Sequence, residues 1–216
     1  MKQPERIEEQ YRDTAAGWSV EQYADSAAYL RHRAELVVSL GPRLEPGDRV
    51  LDLACGDGGL AEHLDGFEYL GVDANPAMVA AARLSGVDAV EADLNEYEPA
   101  EPVAATTLFR AVYYARDRGS FFRHVATYTK KKLVFDLSPR RYRLGELRAE
   151  LREAGFDRVE LRPFLVPQTK ALPAPLQRVL VALEPTPLGR AALRYRFTYV
   201  CAASRTPTAA ARPSGS

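Results

Sequence analysis

The chain has 216 residues, 46% of them hydrophobic, enough to bury a substantial core as one domain. Lysine plus arginine balances aspartate plus glutamate at 29 each, so no global positive field argues for nucleic acid as a partner. The two cysteines, Cys55 and Cys201, lack near neighbours at metal or redox spacing, which fits a reduced compartment. Met1 to Arg6 is too charged for the apolar part of a secretion signal, and no run approaches the roughly 18 apolar residues of a spanning helix; a cytoplasmic protein with no membrane partner is expected.

Residues 5–14 and 21–40 read as helices, with Ile7, Tyr11 and then Leu30, Ala34, Val37, Val38 and Leu40 at helical intervals, interrupted by Ala15-Ala16-Gly17 and ended by Gly41-Pro42. From Val50 the pattern alternates strand and helix, the signature of a parallel sheet covered on both faces. A first strand over 49–54 enters a glycine turn, and Leu60 and Leu64 begin the spacing of a following helix. A second strand spans 67–73, and Asn75-Pro76 opens a helix through Leu84, with Asn as cap and Pro in the first turn. Strands follow at 88–92 and 104–109, then a helix at 118–130, a strand at 131–137, a helix at 144–154 stopped by Gly155, and a strand from Val159.

Residues 165–191 break the alternation with Pro167, Pro173, Pro175, Pro185 and Pro187 around one apolar helix, Leu176 to Leu183. That stretch is long for a connector and is a candidate lid or partner surface. A final strand over 195–202 closes the sheet. The tail, 205–216, is poor in large apolar residues and is expected to be disordered, leaving residues 1–204 as a single domain with a helical cap at 1–41.

Function concentrates in Val50-Leu51-Asp52-Leu53-Ala54-Cys55-Gly56-Asp57-Gly58-Gly59. Glycines let a ligand approach the backbone, and free N–H groups opening a helix favour polar or negative atoms. Gly56 to Ala61 satisfies the dinucleotide pattern G-x-G-x-x-G/A, with Asp73 near the spacing of a ribose-binding acid. That reading leaves two acids without roles: Asp52, a charge inside an apolar strand that needs partners when buried, and Asp93 after the third strand.

The ordered set Asp52-x-Ala54-x-Gly56-x-Gly58, Leu70-Gly71-Val72-Asp73 and Glu91-Ala92-Asp93-Leu94 resembles the class I S-adenosylmethionine-dependent methyltransferases over residues 10–204, with Ala54 at the family's usual first glycine. The resemblance implies an α/β Rossmann-like three-layer sandwich, with a mostly parallel seven-stranded sheet whose last strand is antiparallel. It implies S-adenosylmethionine as cofactor and S-adenosylhomocysteine as product. Asp73 would meet the ribose and Asp93 and Leu94 the adenine, Asp52 would orient the glycine turn near the methionine amino group, and Ala54, Gly56, Gly58 and Ala74 would also bind the cofactor. Tyr11 and Trp18 of the leading segment would cover the cofactor, joined by Arg110.

No Asn/Asp-Pro-Pro-aromatic sequence follows the fourth strand, so Phe109 to Tyr114 resembles the small-molecule branch, with Tyr114 where many relatives carry histidine. Tyr23, Tyr113, Tyr114 and Arg140 are candidate acceptor-binding residues. Asp136, with Tyr114, is the candidate for catalysis, orienting an acceptor hydroxyl or amine or taking its proton. His32, His63 and His124 show no ligand spacing, and no metal is implied.

The expected reaction is methyl transfer to an O, N or C atom of a small, partly apolar acceptor of the specialised-metabolite kind, by a monomer or homodimer. A protein of the same fold that binds the cofactor and catalyses a rearrangement or cyclisation is the alternative. An NAD-dependent oxidoreductase is a further one, although the chain offers no Tyr-x-x-x-Lys relay.

Overall fold

The computed structural model describes residues 15, 17–138, 142–192 and 198–206. Its strands are β1 (Arg49–Leu53), β2 (Glu68–Asp73), β3 (Ala89–Glu91), β4 (Val103–Leu108), β5 (Thr129–Leu137), β6 (Arg158–Pro163) and β7 (Tyr199–Ser204). They form one seven-stranded sheet in the order β3-β2-β1-β4-β5-β7-β6. Strands β1 to β5 pair in parallel, and β7 runs antiparallel between β5 and β6. The central strands β1 and β4 are almost wholly buried, as a sheet covered on both sides requires.

The helices are α1 (Trp18–Gln22), α2 (Ser26–Ser39), α3 (Pro76–Leu84), α4 (Arg118–Tyr128), α5 (Leu144–Glu153), α6 (Ala174–Leu183) and α7 (Pro187–Ala192). On one face, Phe121, Phe122 and Val125 of α4 and Leu147 and Leu151 of α5 pack on Leu51, Leu53, Leu133 and Phe135 of the sheet. On the other, Leu30, Leu36 and Val37 of α2 pack on Val50, Ala105 and Val134. Within β1 and β5 the strand alternation thus sends odd and even residues into separate layers.

Three expectations are corrected. The helix after β1 is a single 3-10 turn, Ala61–His63. Only Leu60 to Phe67 lie between Gly59 and β2, and Gly66 turns in the left-handed region at φ 83°, so the chain has no room for further turns. The helix expected over 21–40 is two, because Tyr23 is extended and the Asp25 side chain starts α2 by accepting from Ala28 N at 3.1 Å. Between them, Ala24 N donates to Gln168 O at 3.0 Å, binding the leading segment to the insertion.

The insertion carries two helices where one was expected, α7 restarting at Pro187. The last strand runs from Tyr199 to Ser204, ending two residues beyond Ala202. The expected helix at 5–14, the first residues of the last strand at 195–197 and tail residues 207–216 lie outside the described residues.

Candidate active site

The sheet's helical connections diverge between β1 and β4, and a cavity of about 440 Å³ opens beyond the carboxyl ends of these strands, where parallel sheets bind ligands. Its floor is the turn after β1. Ala54 and Gly56 both take left-handed backbone conformations, φ 58° and 60°. Gly56 does so at no steric cost, whereas Ala54 carries a Cβ that the left-handed region disfavours. Asp57 holds the outer side of the turn to α1, accepting from Ser19 N at 2.8 Å and from the Ser19 hydroxyl. Trp18, one residue earlier, stands over Gly56, its Cδ1 within 3.7 Å of where a Cβ would project.

Three carboxylates follow one another across the floor. Asp52 is buried in β1, its oxygens accepting from the Tyr69 hydroxyl of β2 at 2.6 Å and the Thr107 hydroxyl of β4 at 2.5 Å. Burial raises its carboxyl above the ordinary range, with the two hydroxyls and Arg33 pulling the other way. Asp73, ending β2, accepts from Gly56 N and Asn75 N, each at 2.9 Å, and so ties the glycine turn to the start of α3. Burial raises it too, against those backbone donors. A carboxylate offers about four acceptor positions, so Asp73 keeps capacity for a ligand hydroxyl. Asp93 accepts from Asn95 N at 2.8 Å and Asn95 Nδ2 at 2.7 Å, and pairs with Arg116. Desolvation pushes its carboxyl up, but these donors outweigh it and hold the group below the usual range.

At the β4–β5 side the cavity changes character. Arg110, after β4, has φ 54° and donates its backbone N–H to Asp136 Oδ1 at 2.5 Å. Asp136 Oδ2 accepts from Arg33 of α2 at 2.8 Å. Arg33 is 3% exposed; its guanidinium carbon lies 4.7 Å from the Tyr29 ring centroid and 4.5 Å from that of Phe109, and its terminal nitrogens donate to the hydroxyls of Tyr23 and Tyr29 at 3.3 and 3.1 Å. Tyr23 in turn stacks on Tyr29, centroids 4.2 Å apart.

Of the residues singled out in the sequence, Trp18, Tyr23, Asp52, Ala54, Gly56, Asp73, Ala74, Asp93, Leu94, Arg110, Tyr113 and Tyr114 all line this one cavity. Gly58 stands off the wall; its φ is 77° and a Cβ would come within 3.0 Å of Val87, so its task is the turn's shape. Asp136 is not among the lining residues but lies behind Arg33 and Arg110, its oxygens engaged by both. Tyr11 and Arg140 lie outside the described residues.

Sequence reasoning missed Arg33, the most buried cation of the site, because one arginine in Arg31-His32-Arg33 looks like a solvated helix face until the fold sets Asp136 beside it. It also missed Asn95 and Arg116, which fix Asp93, and the Ser19–Asp57 clasp. Asn95, two residues after Asp93, carried a legible signal, since such pairs form Asx turns.

The sheet order with its one antiparallel strand, the glycine turn after β1 and the acid ending β2 resemble those of the class I S-adenosylmethionine-dependent methyltransferases. Residues 50–132 match the family model described as a methyltransferase domain. Trans-aconitate 2-methyltransferase of Mycobacterium tuberculosis is 42% identical over 69 residues, 30% of this chain and 26% of that protein. The enzyme of the same name from Rhizobium etli is 36% identical over 91 residues, 39% of this chain and 35% of that protein. The chain thus matches these relatives over about a quarter to a third of their own length.

Among solved structures, the methyltransferase in complex with the Haloferax volcanii Trm112 activator superposes with a TM-score of 0.64 at 18% identity, covering 91% of this chain and 98% of that one. A TehB-like S-adenosylmethionine-dependent methyltransferase from Corynebacterium glutamicum gives 0.60 at 16% identity, covering 94% and 100%. At these identities the likeness is one of fold. Among the described residues, no helix is long and apolar enough to cross a membrane.

Proposed function

We propose that the chain transfers a methyl group from S-adenosylmethionine to an O, N or C atom of a small, partly apolar molecule, acting in the cytoplasm as a monomer or homodimer. The observation that carries this reading is the run of Asp52, Asp73 and Asp93 along one cavity floor, with Asp73 bonded to the glycine turn through Gly56 N. The residues present fit such a cofactor. Asp73 would accept from the ribose hydroxyls with its remaining lone pairs, and Asp52, buried and held by two hydroxyls, would meet the cationic amino group. Leu94 and Ala92 provide apolar lining beside Asp93, suited to a base, and Met78 adds to it from α3.

When bound, the cofactor supplies a sulfonium-activated methyl carbon. The chain's own contribution is alignment and exclusion of water. Trp18 and the Ser19–Asp57 clasp close α1 over the glycine turn, and Tyr113 and Tyr114, half exposed at the mouth with rings 4.4 Å apart, would contact the acceptor. Asp136 acts as a positioning residue in this reading, since both oxygens already serve Arg33 and the Arg110 backbone. Residues 165–191, hydrogen-bonded to the leading segment through Gln168, serve as the lid.

Incubation with methyl-labelled S-adenosylmethionine and a panel of small acceptors, beginning with the trans-aconitate named for the relatives, tests the proposal by mass spectrometry. Equal amounts of S-adenosylhomocysteine and an acceptor heavier by one labelled methyl group are expected. An acceptor converted at unchanged mass, with the cofactor intact, would overturn transfer in favour of rearrangement.

A further inference from the structure

Two arginines face one carboxylate at the β4–β5 side of the cavity. Arg33 and Arg110 both line it, whereas Asp136, behind them, takes one bond from the Arg33 side chain and one from the Arg110 backbone. Among the described residues, no carboxylate pairs with the Arg110 guanidinium. Arg33 Nε has no hydrogen-bond partner among them either, although the residue is 3% exposed. A buried guanidinium with a free N–H is costly, and the cost is removed by an anion that accepts from that N–H.

The surroundings fit an anion with an apolar body. Arg33 sits among the rings of Tyr23, Tyr29, Phe109 and Phe164, its guanidinium carbon 4.5 to 6.0 Å from their centroids. These rings keep it charged and hold it rigid, so little order is lost when a ligand binds. Arg110 is aimed by a left-handed backbone that costs energy and is fixed by Asp136, the kind of strain that persists where surrounding contacts impose it. Asp73 ends β2 and Arg110 follows β4, two strands away and hence roughly 10 Å distant across the sheet. The cationic end therefore lies away from Asp73, which would hold the nucleoside, and beside Asp52, on the side where the aromatic wall begins.

We propose that Arg33 and Arg110 form a carboxylate subsite for the methyl acceptor, which is therefore a small organic acid with an apolar or unsaturated body. Arg33 is the specificity-determining residue: a neutral acceptor leaves its Nε–H unpaired in a dry wall. This assignment rests on the proposed methyltransferase function and narrows its acceptor class.

The test is calorimetric titration of the protein, with and without saturating S-adenosylhomocysteine, using carboxylates from propionate and succinate to benzoate and cinnamate, each against its amide. At least one acid is expected to bind about ten-fold or more tighter than its amide, the discrimination typical of a site whose buried donors would otherwise stay unpaired. Arg110→Gln should lower that affinity by about ten-fold. So should Arg33→Met combined with Asp136→Asn, a pairing that leaves no buried carboxylate unmatched. S-adenosylhomocysteine affinity should change less than about two-fold in the Arg33→Met/Asp136→Asn variant.

Amides that bind as well as acids, or no acid that binds, would overturn the subsite. So would a loss of S-adenosylhomocysteine binding relative to 5′-methylthioadenosine in the variants without effect on the acids, because the arginines would then hold the cofactor's own carboxylate. Failure of the parent to bind S-adenosylhomocysteine would refute the proposed cofactor instead, and the ligand-free titrations keep the two failures apart.

Discussion

Replacing Asp136 with alanine separates a structural anchor from a proton acceptor. The substitution removes the partner of Arg33, 2.8 Å away, and the acceptor of the Arg110 N–H, 2.5 Å away, both in a part of the site that excludes water. Leaving one member of a buried ion pair costs about 3–5 kcal/mol, and the orphaned backbone donor puts this case in the upper half of that range. For a chain of this size each kcal/mol lowers the melting temperature by about 2–4 °C, so a fall of roughly 8–20 °C is expected. Arg33→Met with Asp136→Leu should recover most of it, to within about 1–2 kcal/mol of the parent, because an apolar pair of similar volume replaces the charges. Urea unfolding followed by circular dichroism measures both. An Asp136→Ala protein that melts within about 2 °C of the parent yet has lost turnover would refute the anchoring role and return Asp136 to direct chemistry.

Three further outcomes follow from the same geometry. Ala54→Gly should stabilise by about 1 kcal/mol, since Ala54 sits at φ 58° where a Cβ is penalised; no gain in the chemical-denaturation midpoint would contradict the assigned backbone. His32 faces Glu184 at 2.8 Å and Glu35 at 3.2 Å; burial opposes its charge, but the two carboxylates prevail and raise its pKa. Its contribution to stability is then complete below about pH 6.5 and lost as pH rises through the raised folded value, a slope that Glu184→Gln should flatten in melts across that window. Lys132 behaves in the opposite sense: burial brings its ammonium down to about 7, so the unfolded chain binds the extra proton above that pH, and stability should climb from pH 7 towards the ordinary lysine range. Lys132→Met should abolish that climb. It should also cost about 1–3 kcal/mol at alkaline pH, because Leu40 O, 2.8 Å from Nζ, loses its partner.

The sheet was legible because buried parallel strands write themselves as short apolar runs: Val50 to Leu53 and Leu133 to Phe135 have almost no other reading. The cavity floor was legible for a related reason. Asp52 interrupts such a run, Gly56 lies in the turn that follows it and Asp73 ends β2, so local sequence carries their geometry. The turn after β1 misled because Leu60 and Leu64 keep helical spacing, while the short distance to β2 allows only one turn. Arg33 was hidden for a deeper reason: its partners Asp136, Phe109 and Phe164 come from β5, the end of β4 and the end of β6, and nothing within α2 announces them. The link from His32 to Glu184, 152 residues apart, is equally nonlocal. Contacts that cross the sheet are set by topology, and topology is what a single sequence states least directly.

The central claim, that this cavity floor binds S-adenosylmethionine, is tested most directly by calorimetric titration of the protein with S-adenosylhomocysteine, repeated with Asp73→Ala. Tight binding by the parent is expected. Asp73→Ala should lose about 1–3 kcal/mol, the cost of leaving charged or buried hydrogen-bond partners unmatched. A folded parent that takes up no S-adenosylhomocysteine, or an Asp73→Ala variant that binds it as tightly as the parent, would contradict the assignment of the site.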